Sequence, residues 1–532
     1  MHKTAIGFAV GKLLQIMGGL LLVPLAIAFW DFREEGIYQI LSHPDVYGFL
    51  IAAGLAITIG GISSSLMRSG RHLQGVREGL AIVTFGWLAL AFFSAVPFFC
   101  WFMRGELAGQ YTAFSAFTDA YFEVMSGFTT TGATILTNIE SVPRSLLFLR
   151  SLTHWLGGMG IITLALVIFP GMGVTAYQMF KGEVPGPSKD KIMPRLSQTS
   201  SILWGVYGFF TAAQAILLII GGMTPFEAVC HSFATMATGG FSTANDSVAA
   251  FSSDFIRWVI IIFMYFAGVN FLLHFRALRG DISTMFRDKE FLFYNSVIAA
   301  TIIIVTCVLY FHGLAPIEVA ADHYRSTEMT TAEFAAHYAE QAAPLSSLYE
   351  TFRIASFQTL AIVTTTGFAT VDFDLWPDVL RLLMIFLMFF GGCAGSTGGG
   401  MKMVRIMIVF RVLGNVIRKR SQPKLVAPVK IGDHIVDDTR VVNVLSFFIL
   451  FLGLFILVGL AMTLFVPDLT TAVACSIATI GNIGPGLAGI GAIENYGWIP
   501  LPGKWLLVFS MLLGRLEIFT VLICLRPAVW RK

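Results

Sequence analysis

The 532-residue chain has little charge, since only 13% of its residues are Asp, Glu, Lys or Arg. A soluble domain carries about a quarter charged residues, so the composition excludes an ordinary soluble globular protein. Long apolar runs replace the missing charge, and the mean hydropathy is +0.76. Runs such as 201–220 and 441–466 reach the about 20 residues that a membrane-crossing helix needs. The chain is therefore predicted to be an integral membrane protein.

Several functional signatures are also missing. A strand followed by Gly-x-Gly-x-x-Gly is absent, and so is any convergent catalytic set such as His-Glu-x-x-His. We therefore expect no enzyme activity, no organic cofactor and no nucleic-acid partner. No Cys-x-x-Cys pair occurs, and the cysteines lie in apolar segments, where we expect small core side chains. They are Cys100, Cys230, Cys307, Cys393, Cys475 and Cys524.

The first 77 residues contain two predicted spans, near 8–30 and 47–66. The loop between them is acid-rich, and the loop after them is basic. Basic loops are typical of the cytoplasmic side, so the N-terminus is expected inside. The first apolar run leads on without a small-residue cleavage site, so no cleavable signal peptide is expected.

From residue 78 onward one pattern occurs four times: a long apolar run, a run of about a dozen residues, a Thr/Gly-rich turn and another long run. The short run cannot cross the bilayer and is predicted to be a re-entrant helix. Non-helical backbone at membrane depth must be buried or line a cavity. The sequence thus predicts an all-α membrane fold of two N-terminal helices plus four pseudo-symmetric repeats around a central ion pore. The repeats are 78–198, 199–290, 291–435 and 436–532.

The connections between repeats are basic and are predicted to be cytoplasmic, as are both termini. The loop 313–347 is acidic and is predicted to face the other side. The basic residues are Lys181, Lys189, Lys191, Arg195, Arg276, Arg279, Arg287, Lys289, Arg418, Lys419, Arg420, Lys424 and Lys430.

The four Thr/Gly-rich turns are the candidate ion site. A dehydrated monovalent cation needs neutral oxygen ligands that replace its hydration shell and still release it. Backbone carbonyls supply these oxygens where glycine permits the backbone angles, threonine can add hydroxyls, and each short helix directs its negative C-terminal end at the cavity. The candidate ligands are Thr130, Thr131, Gly132, Thr238, Gly239, Thr365, Thr366, Gly367, Asn482, Ile483 and Gly484.

A second glycine-rich segment interrupts the apolar stretch 380–412. Each glycine inside a helix costs about 1 kcal/mol relative to alanine, so an uninterrupted spanning helix is not expected. A small-residue helix contact and a flexible loop under the turns both remain open, whereas a phosphate-binding loop is excluded because no Gly-Lys-Ser/Thr follows. Lys402 and Arg405 come next and are expected on the cytoplasmic side. The candidate residues are Gly391, Gly392, Gly395, Ser396, Thr397, Gly398, Gly399 and Gly400.

Three groups of charged or titratable side chains remain. Arg515 lies within an apolar run, where it either pairs with Glu517 or another helix or donates to carbonyls of the 391–400 segment. Acids follow each turn and either concentrate cations at the outer mouth or solubilise outer loops. Inside the first two short helices, Glu123 and Glu227 either attract cations or, as we expect, anchor helices as hydrogen-bond acceptors. His154 begins an apolar helix and is expected to pack structurally. The acids are Glu140, Asp246, Asp372, Asp374 and Glu494.

The motifs together give the chain a family resemblance over nearly its whole length. It resembles the Trk/Ktr/HKT superfamily of potassium transporters, most closely the bacterial Trk-type membrane subunit. The two spans before the first repeat also match that type. The motifs that carry the resemblance are 129–134, 154–160, 237–243, 391–400 and 482–486.

The resemblance implies a function. Family members associate each filter glycine with potassium selectivity, and a serine at the first marks sodium-preferring plant members. The glycines predicted in the equivalent place of the four turns, Gly132, Gly239, Gly367 and Gly484, therefore imply K⁺ as the transported ion. The 391–400 segment would be a gate, which Arg515 could hold closed. The resemblance further implies the bacterial inner membrane, a homodimer and a cytosolic nucleotide-binding (RCK-type) regulatory subunit. A symporter coupled to sodium or protons is the alternative, and fluxes measured with and without each gradient separate the two.

Overall fold

The computed structural model describes residues 1–72, 75–104, 109–160, 196–316, 331–425, 427–432 and 434–530. The basic residues Lys181, Lys189, Lys191 and Arg195, and residues 317–330 of the acidic 313–347 loop, lie outside these ranges. Six described helices are long and apolar enough to cross a membrane, or eight if each of two bent pairs counts as one span. The predicted all-α membrane fold is confirmed.

The N-terminal helices confirm the two predicted spans. The first span is broken at Leu21 into Lys3–Leu20 and Leu22–Asp31, and the second is Pro44–Leu66. These helices approach closely, because a Cβ on Gly60 would lie 2.5 Å from the carbonyl oxygen of Gly11. Small residues permit such backbone contact between membrane helices. The short helix Ile37–Ile40 follows the first span, and the 3₁₀ helix Arg68–His72 follows the second.

Each repeat consists of an outer helix, a pore helix and an inner helix, in that order. The outer helices are Val76–Arg104, Leu196–Ile220, Lys289–His312 and Asp438–Met462. The pore helices are Ala113–Phe128, Pro225–Met236, Leu348–Val363 and Leu469–Ile480. They have 12 or 16 residues, about 18 to 24 Å at 1.5 Å per residue, and the hydrocarbon core is about 30 Å thick. The prediction of short re-entrant helices is therefore confirmed.

Three of the four inner helices are interrupted within the described residues. In the second and fourth repeats the two segments meet at bends of 104° and 118°, and in the third a non-helical segment separates them. The inner helix of the first repeat is described as Arg144–Met159. The other segments are Asp254–Ala267 and Phe271–Leu278, Asp378–Leu387 and Met403–Ser421, and Leu501–Arg515 and Phe519–Leu525.

The remaining elements are short. Strands Lys430–Ile431 and His434–Ile435 form an antiparallel hairpin before the fourth repeat. The additional helices are Ser283–Arg287, Thr331–Ala342 and Pro527–Trp530, and the 3₁₀ helices are Ser247–Ala250, Ala343–Ser346, Phe373–Leu375 and Ala488–Ile490. Five cysteines are buried as expected, but Cys307 is exposed on the third outer helix. That prediction was wrong for Cys307 because an apolar run does not reveal which helix face packs inward.

Candidate functional site: a ring of four turns above a glycine loop

All four pore helices end in the same backbone turn. The second residue after each helix has a left-handed conformation, with φ between 51° and 60°, although none of the four is glycine. The next amide donates to a carbonyl five residues earlier, at 2.8–2.9 Å. This is the Schellman helix ending, in which glycine is usual, so the turns hold strained backbone. The left-handed residues are Thr130, Thr238, Thr365 and Asn482.

The shared turn sets the register of the glycines. Two residues after each left-handed residue stands a glycine with φ between 77° and 94°. In the second repeat this glycine is Gly240, whereas Gly239 occupies the place of Thr131, so the predicted equivalence of Gly239 was wrong. The equivalent glycines are Gly132, Gly240, Gly367 and Gly484.

These glycines close a ring. A Cβ atom added to each of them would lie under 3.0 Å from a backbone carbonyl oxygen of the next repeat. That oxygen belongs to the residue just before the equivalent glycine of the next repeat, here called its filter glycine. The contacts run from the first repeat to the second, the second to the third, the third to the fourth and the fourth back to the first. Each turn therefore touches the next through backbone atoms, and only glycine permits this closeness. We call residues 129–134, 237–241, 364–368 and 481–485 the filter ring. The contacting oxygens, in the same order, belong to Gly239, Thr366, Ile483 and Thr131.

The ring contains oxygen atoms and no acidic side chain. Its threonines at 130, 131, 365 and 366 are fully buried. The C-termini of four pore helices end at the ring, and each carries a partial negative charge. Neutral oxygens in a negative potential can coordinate a dehydrated monovalent cation and still release it.

Side chains brace the junction between the first and second repeats. Glu123, fully buried in the first pore helix, accepts hydrogen bonds from the Ile135 amide at 2.9 Å and from Arg150 at 2.7 Å. Arg150 also donates to the Ser242 carbonyl of the second repeat. His154 Nδ1 donates to the Gly127 carbonyl while its Nε2 accepts from the Phe241 amide. The predicted anchoring role of Glu123 and structural role of His154 are confirmed.

Different groups brace the other three junctions. The Ala369 carbonyl accepts the Val248 amide between the second and third repeats, and Asp374 accepts the Ala488 amide between the third and fourth. Tyr496 connects the fourth repeat to the first, as described below. Sequence reasoning missed Arg150 and Tyr496. Arg150 could have been found, because it is an arginine in an apolar run, as Arg515 is.

Glu227 and the outer acids have mixed outcomes. Glu227 accepts from the Thr224 amide at the start of the second pore helix, which confirms its anchoring role. Glu140 and Asp246 are exposed. Asp372 and Asp374, however, are 2% and 4% exposed, so neither the mouth nor the solubility interpretation fits them. Burial raises the pKa of Asp374 to about 6, and the positive charge of the neighbouring Arg381 keeps that rise from being larger.

Residues 388–402 form a non-helical segment, here called the glycine loop, between the two parts of the third inner helix. Its ends pair, because the Gly391 amide donates to the Met401 carbonyl at 2.8 Å. The loop lies against the pore-helix ends: Thr397 Oγ1 donates to the Met236 carbonyl, and the Gly399 amide donates to Thr365 Oγ1. The small-residue helix contact is thereby excluded for this segment.

Two cationic side chains, Arg515 and Lys402, form hydrogen bonds to the loop. Arg515 donates to the Thr397 carbonyl at 2.8 Å, as predicted, and to the carbonyls of Gly157 and Gly158 at 2.6 and 2.9 Å. Lys402, 1% exposed, bonds the Gly398 carbonyl and is therefore buried against the loop. Its place on the cytoplasmic side stays a prediction.

The flanks of the loop also have ionic partners. Glu290, which sequence reasoning missed, accepts the amides of Ala394 and Val404 at 2.7 and 3.0 Å. Glu517 pairs with Arg405 at 2.7 Å. Glu290 thus ties the middle of the loop and the start of the helix that follows it to the third outer helix.

Known proteins share this arrangement. A family model described as a cation transport protein, TrkH, matches residues 49–532. The chain is 35% identical to the Trk system potassium uptake protein TrkH of Escherichia coli K12, with 100% of each chain covered. It is 30% identical to TrkG of the same strain, covering 100% of this chain and 99% of that protein.

A solved structure agrees over the same length. The crystal structure of the potassium transporter TrkH from Vibrio parahaemolyticus matches with a TM-score of 0.79 and 31% identity, and 100% of each chain is covered. The full-length matches include all four repeats and both N-terminal spans. This chain therefore belongs to the TrkH family of cation transport proteins.

Proposed function

We propose that this chain mediates potassium uptake across the bacterial inner membrane through the filter ring. The observation that carries the proposal is the closed contact of four equivalent turns, each placing a glycine against the preceding carbonyl of the next repeat. Such a ring offers uncharged oxygens to a dehydrated cation. The relatives described above are potassium uptake proteins by name, which supports K⁺ as the cargo.

Growth of a potassium-uptake-deficient host tests this function directly. The chain should rescue growth at limiting potassium, and purified protein in vesicles should carry rubidium in preference to sodium. A vesicle assay with imposed potassium, sodium or proton gradients also separates a channel-like pathway from coupled symport. Failure to move rubidium or potassium in protein that is folded and inserted would contradict the proposal.

We further propose that the glycine loop is the gate. Its support is position and attachment: the loop contacts pore-helix ends from the second and third repeats. Arg515 connects the same loop to the first inner helix. Glycines give the loop backbone freedom, so the loop can move if these side-chain hydrogen bonds break. Displacing Arg515 would release the loop from two repeats at once.

Regulation and assembly complete the proposal. A cytosolic nucleotide-binding (RCK-type) subunit would act on the loop from inside, and two copies of the chain would form a homodimer in the lipid bilayer. Both expectations come from the family resemblance. Co-purification from membranes, followed by mass measurement with and without the regulatory subunit, tests both.

A further inference from the structure

Tyr496 closes the last junction of the ring. Its hydroxyl donates to the carbonyl oxygen of the filter glycine Gly484 at 2.6 Å, and the side chain is 2% exposed. Its backbone amide donates to the Thr134 carbonyl of the first repeat at 2.8 Å. One residue therefore holds the filter strands of the fourth and first repeats together.

The tyrosine is fixed in this position by its neighbours. Its ring packs against Phe122 of the first pore helix, with centroids 5.7 Å apart. The following residue is also tightly placed, because a Cβ on Gly497 would lie 2.8 Å from the Ile135 carbonyl oxygen. The hydroxyl is thus directed by packing on both sides, and its hydrogen bond needs little further ordering.

The fourth repeat differs from the others here. Within the described part of the chain, no side chain donates a hydrogen bond to the carbonyls of Gly132, Gly240 or Gly367. A carbonyl oxygen has two lone pairs, so the Gly484 carbonyl gives one to the tyrosine. That bond fixes the direction of the carbonyl and lowers its freedom to turn toward a smaller ion.

We propose that Tyr496 is a positioning residue for ion selectivity, acting through the Gly484 carbonyl and not on the ion itself. The proposal rests on the potassium-uptake function proposed above. Without the hydroxyl, the Gly484 carbonyl can move inward, and the ring can contract around sodium. A neutral hydrogen bond of this kind corresponds to a change of about two- to tenfold in an equilibrium. The rubidium-to-sodium flux ratio should fall by that factor.

The experiment compares Tyr496→Phe with Tyr121→Phe in vesicles that contain equal amounts of protein. Tyr121 is also buried near the first pore helix, but its hydroxyl donates to Leu88 of the outer helix at 3.3 Å. We expect Tyr496→Phe to lower the ratio and Tyr121→Phe to leave it unchanged. 4-Aminophenylalanine at position 496 restores a donor and should restore the ratio.

Each outcome decides between explanations. An unchanged ratio in Tyr496→Phe, or an equal fall in both variants, overturns the proposal. Equal ratios for Phe and 4-aminophenylalanine at position 496 also overturn it, because the donor would then be irrelevant. The wild-type protein is the reference: if it shows no preference for rubidium, the proposed function itself fails, and that result is separate from a failure of the tyrosine's role.

Discussion

The filter ring and the glycine loop are both non-helical, glycine-rich segments at membrane depth, but different groups hold them. In the ring, neighbouring turns touch backbone to backbone, and the same turn is built four times. In the loop, single side chains make several of the attachments, with Arg515 and Glu290 from other helices and Lys402 from the loop itself. Backbone bonds, such as that from the Cys393 amide to the Gly268 carbonyl, add to them.

This difference predicts opposite responses to mutation. The ring has no space for an added atom, so a larger residue must displace it. The loop is held by side-chain donors and acceptors that can exchange partners, so removing one should release it. Variants of the ring should therefore lose ion transport or selectivity, whereas variants of the loop should gain flux.

The largest effect is expected from a brace of the ring. Glu123→Ala leaves Arg150 buried without its carboxylate, since the two side chains are 0% and 2% exposed. Removing one partner of a buried pair costs about 3 to 5 kcal/mol. Thermal unfolding of detergent-purified protein should show a lower midpoint and less folded protein. Glu34→Ala, at a side chain that is 90% exposed, is the control, and equal midpoints would contradict the brace.

The next effect tests ring closure itself. Gly367→Ala adds a Cβ under 3.0 Å from the Ile483 carbonyl oxygen at a position with φ 77°. Strain in that region and the contact together should lower potassium uptake at least about tenfold. Gly453→Ala is the matched control, because a Cβ there meets nothing within 4 Å. Normal uptake by folded Gly367→Ala protein would show that the close backbone contact around the ring is not needed for potassium uptake.

A gain of flux is expected from the loop. Arg515→Ala removes donors to the loop and to the first inner helix, and should raise rubidium flux about tenfold. A hydrogen bond of a charged group stabilises by about 1.5 kcal/mol at the low end of its range, and about 1.4 kcal/mol is a factor of ten. The rubidium flux of Arg515→Lys should lie between those of the wild-type protein and Arg515→Ala, since an ammonium group cannot reproduce the paired donors of a guanidinium group. Arg526→Ala, exposed beyond the same helix, is the control. Unchanged or lower flux in Arg515→Ala would remove the loop as a gate.

The smallest effect concerns the outer acids. Of the five outer acids, only Glu140 and Asp246 are exposed. Their neutralisation by Glu140→Gln with Asp246→Asn should lower uptake less than about twofold, and only at low ionic strength. Asp438→Asn, at the start of the fourth outer helix, serves as the control. An equal loss at every salt concentration would argue against electrostatic attraction.

Much of the fold could be predicted, but parts of the site could not. Hydropathy located the spans and the short pore helices. The place of Arg515 in an apolar run marked it as a candidate, and its contact with the loop was one of two alternatives, supported by the family resemblance. Two adjacent glycines left the register of the second turn ambiguous, and its local hydrogen bonds were needed to choose Gly240. Burial of Asp372, Asp374 and Lys402 was missed because exposure depends on what other segments cover.

The sequence by itself determined the membrane fold, the four repeats and the uncharged oxygen chemistry of the turns, because these depend on hydropathy and short-range backbone geometry. Only the tertiary structure decided which carbonyl meets which glycine, and which partners Arg515 and Tyr496 select. Those contacts join residues far apart in the chain, such as Arg515 and Thr397, 118 positions apart. Many partners have similar chemistry, and only folding brings one of them within hydrogen-bond distance.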